Sequence, residues 1–149
     1  MLLVLFFISA CSEIGIEHFS SQEEALIYLI DKEEIKGNID LIVTIRGERL
    51  LIVQSREDIF FVGELVEDKE GYYAEKISDS VVIGVGASWE LNTASKNKYT
   101  IYFEKDKKDL NFIPFSNGEY DMSLVEGHLI SKNTTDLISA IKEVKVIKE

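Results

Sequence analysis

Residues 39–66, IDLIVTIRGERLLIVQSREDIFFVGELV, decide the fold of this chain. From Ile39 onward the apolar side chains recur with a period of two, and most are β-branched or aromatic, which indicates β-strands. Residues 46–49 and 55–58 are polar and can turn the chain between strands. Because residues 59–66 are apolar on both faces as far as Gly63, we expect the strands 50–54 and 59–66 to lie at the centre of a sheet.

Strand patterns continue through most of the remaining chain. They cover residues 72–77, 81–89, 99–104, 111–115, 120–126 and 141–147. Pro114 cannot donate a hydrogen bond to a central ladder, so we expect 111–115 to be an edge or terminal strand. Residues 128–131 can extend the strand before them, and residues 133–140 can form one or two helical turns.

A helix is predicted ahead of the strands. Ser20 and Ser21 are each followed three residues later by a glutamate, which is the capping-box signature of a helix start. The pattern predicts a helix over residues 22–36 that Gly37 and Asn38 end. Its apolar surface is wider than one face, so we expect it to pack across a sheet, with a partner groove as the alternative.

These patterns together predict an α+β domain. One N-terminal helix packs on a mainly antiparallel, meander-like β-sheet of about six to eight strands. No linker rich in proline, glycine or serine divides the chain, and 149 residues are enough for one domain with a single core.

The features closest to a binding site lie in residues 81–89. On a regular strand one row of side chains is large and apolar: Val81, Ile83, Val85 and Trp89. The opposite row, which we call the small-residue strip, is Val82, Gly84, Gly86 and Ser88. Small side chains let another element approach closely, so we expect the N-terminal helix to cover the strip. The alternative is a shallow ligand groove formed by Gly84, Gly86 and Ser88, with Trp89 at its end.

The first eleven residues, MLLVLFFISAC, differ in character from the rest of the chain. They carry no charge, and the small residues Ser9 and Ala10 precede the only cysteine, Cys11. This segment resembles a bacterial lipoprotein signal peptide, in which residues 8–11 match the lipobox. The resemblance implies a signal peptide at 1–10, a lipid-anchored tether at 11–19 that starts with the lipid-modified Cys11, and a single domain at 20–149. The alternatives are a short buried strand or helix, and a transmembrane anchor, which needs about 20 apolar residues.

The order of helix, strand-rich meander and final strand is also similar to that of small uncharacterised lipoproteins of Bacillus-type Gram-positive bacteria. This resemblance implies an extracytoplasmic domain and brings no catalytic residue with it. A diacylglyceryl cysteine supplies two acyl chains, which is enough for stable anchoring. We therefore expect the domain at the outer face of the cell membrane, held there by the lipid on Cys11.

The chain is acidic, with a formal net charge of −11 at pH 7. Such a charge repels phosphate backbones and anionic headgroups, so we expect no nucleic acid partner, and membrane attachment has to come from the lipid. The same charge attracts cationic partners. It favours a basic protein of the envelope, or a peptide added at a sheet edge, as the partner.

Residues for common catalytic chemistry are scarce. The chain has two histidines, His18 in the tether and His128 in the domain, and lipid attachment would consume Cys11. We therefore expect His18 to be solvated, and we expect no nucleophilic triad, no metal site and no cofactor. The leading function is a non-catalytic binding or interaction module. The alternative is a cell-envelope hydrolase that uses a pair of carboxylates.

Overall fold

The computed structural model describes residues 15–109, 111–132 and 138–149. Within these ranges one helix is followed by ten strands. The helix is α1 (Gln22–Lys32), and the strands are β1 (Ile39–Thr44), β2 (Arg49–Arg56), β3 (Ile59–Asp68), β4 (Gly71–Lys76), β5 (Val81–Val82), β6 (Gly86–Asn92), β7 (Lys98–Lys105), β8 (Ile113–Pro114), β9 (Tyr120–Glu126) and β10 (Ile141–Lys148). The predicted signal peptide, Cys11 and residues 133–137 of the predicted helical turns lie outside the described ranges.

The first sheet contains six of these strands, in the order β10-β1-β2-β3-β4, with the short β5 paired to the start of β3. Its pairings are antiparallel, and β1 to β4 follow one another as a meander. Residues 50–53 of β2 are all buried, because both faces of this sheet are covered. The prediction that the strands 50–54 and 59–66 are central is therefore confirmed.

The second sheet contains the other four strands, in the order β6-β7-β9-β8, and is also antiparallel. Pro114 lies in the edge strand β8, as predicted. The predicted N-terminal helix and antiparallel strands are confirmed, but the single sheet of six to eight strands is wrong. Periodicity marks where strands lie, whereas their division between two sheets depends on which apolar faces meet in space.

The main core lies between the two sheets. Its members from the first sheet include Ile42, Leu50, Ile52, Phe60 and Val62, and those from the second include Trp89, Tyr99, Ile101, Phe103 and Met122. The rings of Phe103 and Tyr120 stack with their centroids 4.8 Å apart, and Phe60 packs against both. Burial of this apolar area, at roughly 25 cal/mol per Å², holds the sheets face to face.

Helix α1 begins where the sequence predicts. Ser21 is its N-cap residue, and the Ser21 hydroxyl accepts a hydrogen bond from Glu24 N at 3.2 Å. The helix packs through Ala25 and Leu29 on the outer face of the first sheet, against side chains that include Leu51 and Phe61. The molecule therefore has three layers: helix, first sheet and second sheet.

The helix ends earlier than predicted. α1 stops at Lys32, and Glu34 rather than Gly37 adopts the left-handed conformation, with φ of 51°. Gly37 is required for a different reason, because a Cβ atom there would lie 2.6 Å from Gln54 O. Gly37 N donates a hydrogen bond to this same oxygen at 3.0 Å, so the chain passes very close to β2 at this point.

Candidate functional site at the edge of strand β6

No described element covers the small-residue strip. Gly84, Gly86 and Ser88 are exposed. A Cβ atom added at Gly84 would meet no described atom within 4 Å, whereas one at Gly86 would lie 3.1 Å from Phe103 O of the neighbouring β7. The prediction that the helix covers the strip is wrong, because α1 packs on the other sheet. The outer face of the first sheet offers large apolar side chains for the helix to bury, and the strip offers none of that size.

The strand predicted over residues 81–89 is interrupted. β5 ends at Val82 and β6 begins at Gly86, because the chain passes here from the first sheet to the second. Val85 is therefore 81% exposed instead of aligned with the buried Ile83. Trp89 is only 6% exposed and points into the core, on the opposite side of β6 from Ser88.

β6 is an edge strand of the second sheet. Just beyond the two ends of the β6 ladder, Val85 O accepts a hydrogen bond from Lys105 N at 2.9 Å, and Thr93 N donates a hydrogen bond to Asn97 O at 3.0 Å. In an antiparallel pair every second residue forms hydrogen bonds with the partner strand. Because Val85 and Thr93 are both odd-numbered, the odd-numbered residues of β6 bond to β7. The backbone groups of the even-numbered residues point to the free edge: Gly86, Ser88, Glu90 and Asn92. Within the described ranges these groups have no backbone partner.

The other sheet edges carry features that oppose the addition of a further strand. Beside β4, Phe19 N donates a hydrogen bond to Tyr72 O at 2.7 Å, and α1 packs against the same strand. β8 is two residues long and contains Pro114, and β10 is rich in lysine. β6 starts with Gly-Ala-Ser and contains no proline or lysine, and among the described residues no helix packs on this first half of the strand.

Two open grooves border β6. The first, which we call the inter-sheet cleft, has a volume of about 540 Å³ and is lined by residues 76–79, Val81 and residues 88–90. The second, which we call the outer groove, has a volume of about 480 Å³ and is lined by residues 85–88, Tyr102, Glu104 and Lys105. Ser88 borders both grooves, so a strand added to β6 would place side chains in each of them.

Trp89 brings an unsatisfied donor to the inter-sheet cleft. Its Nε1 is buried and has no hydrogen-bond partner among the described residues. A buried donor without an acceptor costs about 1 to 3 kcal/mol of stability. The indole packs beside Phe103, with ring centroids 6.2 Å apart, and also lines the cleft. Trp89 lines the cleft while its Nε1 is enclosed, so a ligand can satisfy this N–H group only when the side chains around it move aside.

Two carboxylates, Glu48 and Glu64, line a smaller pocket of about 190 Å³. Burial raises the pKa of Glu64, and the hydrogen bond from Ala94 N, at 2.8 Å, offsets only part of this effect. Burial also acts to raise the pKa of Glu48, but hydrogen bonds from Tyr99, Asn97, Thr93 and Thr44 outweigh it, so the pKa is lowered. Burial and the bond to Glu48 raise the pKa of Tyr99 to about 12.

The positions of these acids give them a structural role. The two Glu48 oxygens accept four side-chain hydrogen bonds, which leaves little capacity for a substrate. Glu64 is only 3% exposed. Glu48 lies in the β1–β2 turn and its partners Thr93 and Asn97 lie in the β6–β7 turn, so the acid joins the two sheets. Glycoside hydrolysis needs both carboxyl groups at the scissile bond, and these two lack that access.

The prediction that His18 is solvated is wrong. Its side chain is 16% exposed, its Nε2 lies 2.9 Å from an Asp68 oxygen, and its Nδ1 lies 3.0 Å from Ile16 O. The hydrogen bond to Asp68 is the main cause that raises the pKa of His18, because it favours the protonated ring. With Glu70, these residues offer three possible metal ligands within 4.8 Å of one another. The expectation of no metal and no cofactor stays a prediction.

The predicted strand extension at residues 128–131 is wrong. Gly127 has φ of 92°, which turns the chain away from β9. The following loop lies over the end of β6, where His128 Nε2 is 2.9 Å from Leu91 O and His128 Nδ1 is 3.4 Å from Glu90. The second histidine is therefore held beside the edge strand and not beside the acids of the small pocket.

The sequence identified residues 81–89 as the candidate site but missed residues 76–79, which form the other wall of the cleft. No signal in the strand pattern could have found them, because the two walls belong to different sheets. No protein-family model matches the chain, and it has no significant match among curated proteins or solved structures. Within the described ranges, no helix is long and apolar enough to cross a membrane.

Proposed function

We propose that this protein is a non-catalytic interaction module that binds a polypeptide by adding an extended segment to the free edge of β6. The row of unpaired backbone groups on β6 is the observation that carries this proposal. In strand addition the main-chain hydrogen bonds supply affinity, and pockets for alternate side chains supply specificity. β6 combines the free edge with a groove on each side.

We also propose that the module works at the outer face of the cell membrane, anchored by lipid on Cys11. The lipobox pattern at residues 8–11 supports this location. Phe19 pairs with Tyr72 of the domain, and the eight residues from Ser12 to Phe19 span at most about 28 Å when extended. A partner of the module would therefore be an envelope protein that comes close to the membrane.

The alternative, a hydrolase based on a carboxylate pair, has weaker support. Glu48 and Glu64 do differ in the direction of their pKa shifts, as such an enzyme requires. Their hydrogen bonds and burial give them the role of joining the sheets, so we retain the interaction module as the proposed function.

A proline at position 88 tests the proposal. Ser88→Pro removes the N–H group that points to the free edge and leaves the bonds between β6 and β7 in place, because Ser88 does not bond to β7. Ser88→Ala is the matched control, since it retains the N–H group. Each variant should be immobilised and exposed to an envelope extract, with a thermal melt to check folding.

We expect wild type and Ser88→Ala to capture the same protein and Ser88→Pro to bind it about tenfold more weakly. Hydrogen exchange on the complex should show slowed exchange at the Ser88 and Glu90 amides. Equal capture by a folded Ser88→Pro variant, or unchanged exchange at these amides, would contradict binding at the β6 edge.

A further inference from the structure

We infer, on the basis of the proposed function, that the β6 edge is built for a cationic extended peptide that carries hydrogen-bond acceptors on the side facing the core. The four observations behind this are the free backbone edge, the unpartnered Trp89 Nε1, the acidic groups beside the strand and the small side chains over the outer groove. Each of them constrains a different part of the peptide.

The pairing geometry separates the peptide side chains into two rows. Cross-strand neighbours share a face of the sheet, and successive residues point to opposite faces. Peptide residues opposite Ser88 and Glu90 therefore point outward, over the second sheet. The residue opposite Trp89 points inward, into the inter-sheet cleft.

The inward row should carry an acceptor. Trp89 Nε1 is an enclosed donor without a partner in the described ranges, and Trp89 lines the cleft. When the side chains that enclose Nε1 shift, a hydroxyl or amide oxygen on the inward row can accept this hydrogen bond, whereas an aliphatic side chain of the same size leaves the donor unsatisfied. We expect the difference in affinity to be about tenfold.

The outward row should be cationic. Glu90 lies on the outer face of β6, and among the described residues its side chain contacts His128 and accepts a 3.3 Å bond from Ile130 N. Gly86 and Ser88 beside it leave room for the long stems of lysine or arginine, which can lie across the outer groove. The net charge of −11 attracts such a peptide from a distance.

The same charges disfavour a second copy of the chain as the occupant. Two copies paired along β6 would each bring a net charge of −11 and a Glu90 to the shared edge. Lys76 and Lys105 offset part of the local charge, but Asp79, Glu90 and Glu104 outnumber them in the two grooves. We therefore assign the edge to a basic peptide and treat self-pairing as an outcome of the test.

Three synthetic octapeptides test this specificity: alternating Lys-Thr, alternating Lys-Val and alternating Glu-Thr. Threonine and valine have the same shape, and only threonine offers an acceptor oxygen. Trp89 is the only tryptophan of the chain, so its fluorescence reports on the cleft directly. Calorimetry gives the affinity for variants that lack this reporter.

We expect the Lys-Thr peptide to bind and to shift the Trp89 emission, the Lys-Val peptide to bind about tenfold more weakly, and the Glu-Thr peptide to show no saturable binding. Trp89→Phe replaces the indole with a smaller aromatic ring that has no N–H donor, and it should abolish the preference for threonine over valine. Raised salt should weaken binding of both lysine peptides.

The outcomes separate this inference from the proposed function. If Ser88→Pro weakens binding about tenfold but the three peptides bind wild type equally, strand addition stands and the cationic, acceptor-bearing specificity is overturned. If Ser88→Pro binds the Lys-Thr peptide as well as wild type does, the peptide does not add to β6 and both proposals fail. If sedimentation shows a wild-type dimer that Ser88→Pro dissolves, the edge belongs to a second copy and the peptide assignment is overturned.

Discussion

Glu48 and Glu64 line the same small pocket, yet their environments shift their pKa values in opposite directions. Glu64 lies in the ladder of the first sheet, where burial dominates and favours the protonated acid. Glu48 is surrounded by donors that favour the charged form. At the scale of single residues, the number of donors around a buried carboxyl group therefore decides whether it strengthens or weakens the fold at neutral pH.

The two acids should give opposite pH dependences of stability. Because the pKa of folded Glu64 is raised, its contribution falls as pH rises from the unfolded-state pKa through the folded-state pKa. Glu64→Gln should remove this loss, so the variant should gain stability relative to wild type as pH rises above the unfolded-state pKa of about 4.3, and the gain should level off above the raised folded-state pKa. Urea unfolding at a series of pH values measures the effect. An identical pH dependence for Glu64→Gln and wild type would contradict the burial effect.

Glu48→Gln is the matched variant, and we expect it to change the pH dependence of stability in the opposite direction. The lowered pKa of Glu48 means that its stabilisation is present above the unfolded-state pKa and is lost as pH falls through the folded-state pKa. We expect Glu48→Gln to lower the free energy of unfolding by about 2 kcal/mol at neutral pH, and the difference to shrink in acid. The same urea titrations test this, and a loss that does not shrink in acid would show that the charge is not responsible.

At the scale of elements, two glycines mark opposite kinds of junction. Gly37 lies where the chain leaves α1 and passes against β2, while Gly84 lies where the chain crosses from one sheet to the other. The first junction is tightly packed and the second is open. Their substitutions should therefore differ in a way that the sequence alone did not predict.

Gly37→Ala should destabilise the fold, because its Cβ would meet the backbone oxygen of Gln54 at 2.6 Å. We expect a loss of about 1 to 3 kcal/mol, as for overpacked sites.

Gly84→Leu should leave the melting temperature nearly unchanged, since no described atom lies within 4 Å of its Cβ position. Thermal melts of Gly37→Ala and Gly84→Leu measure both changes in stability. A large loss in Gly84→Leu would show that another element does cover the small-residue strip.

At the scale of the whole molecule, the net charge of −11 limits how the protein can attach to a membrane. It gives no electrostatic attraction to anionic lipids, so the proposed attachment would depend on the lipid on Cys11. With the domain held near the membrane, the free edge of β6 would be presented to envelope proteins.

Cys11→Ser should release the protein from the membrane. The lipobox pattern predicts that cleavage before residue 11 and lipid attachment both require the cysteine thiol. We expect wild type in the membrane fraction with the added mass of a diacylglyceryl group, and the variant without that mass. Ser12→Ala is the control, which should behave as wild type does. If Cys11→Ser stays in the membrane fraction with unchanged mass, residues 1–11 are not a lipoprotein signal.

The sequence by itself determined most of the local structure. The capping pattern at Ser20 and Ser21 predicted the start of α1, and the two-residue periodicity from Ile39 predicted most of the strands and the central position of residues 50–54 and 59–66. These features depend on neighbours within a few positions along the chain. Local sequence therefore contains the interactions that specify them.

Only the tertiary structure decided how the strands divide and what that division exposes. The interruption at residues 83–85 sends the chain into a second sheet, which leaves β6 as an edge and opens a cleft between it and residues 76–79. Helix α1 packs on the far side of the first sheet, so it leaves the small-residue strip uncovered. These outcomes depend on which apolar faces bury one another, and that competition among distant segments is settled only when the whole chain packs.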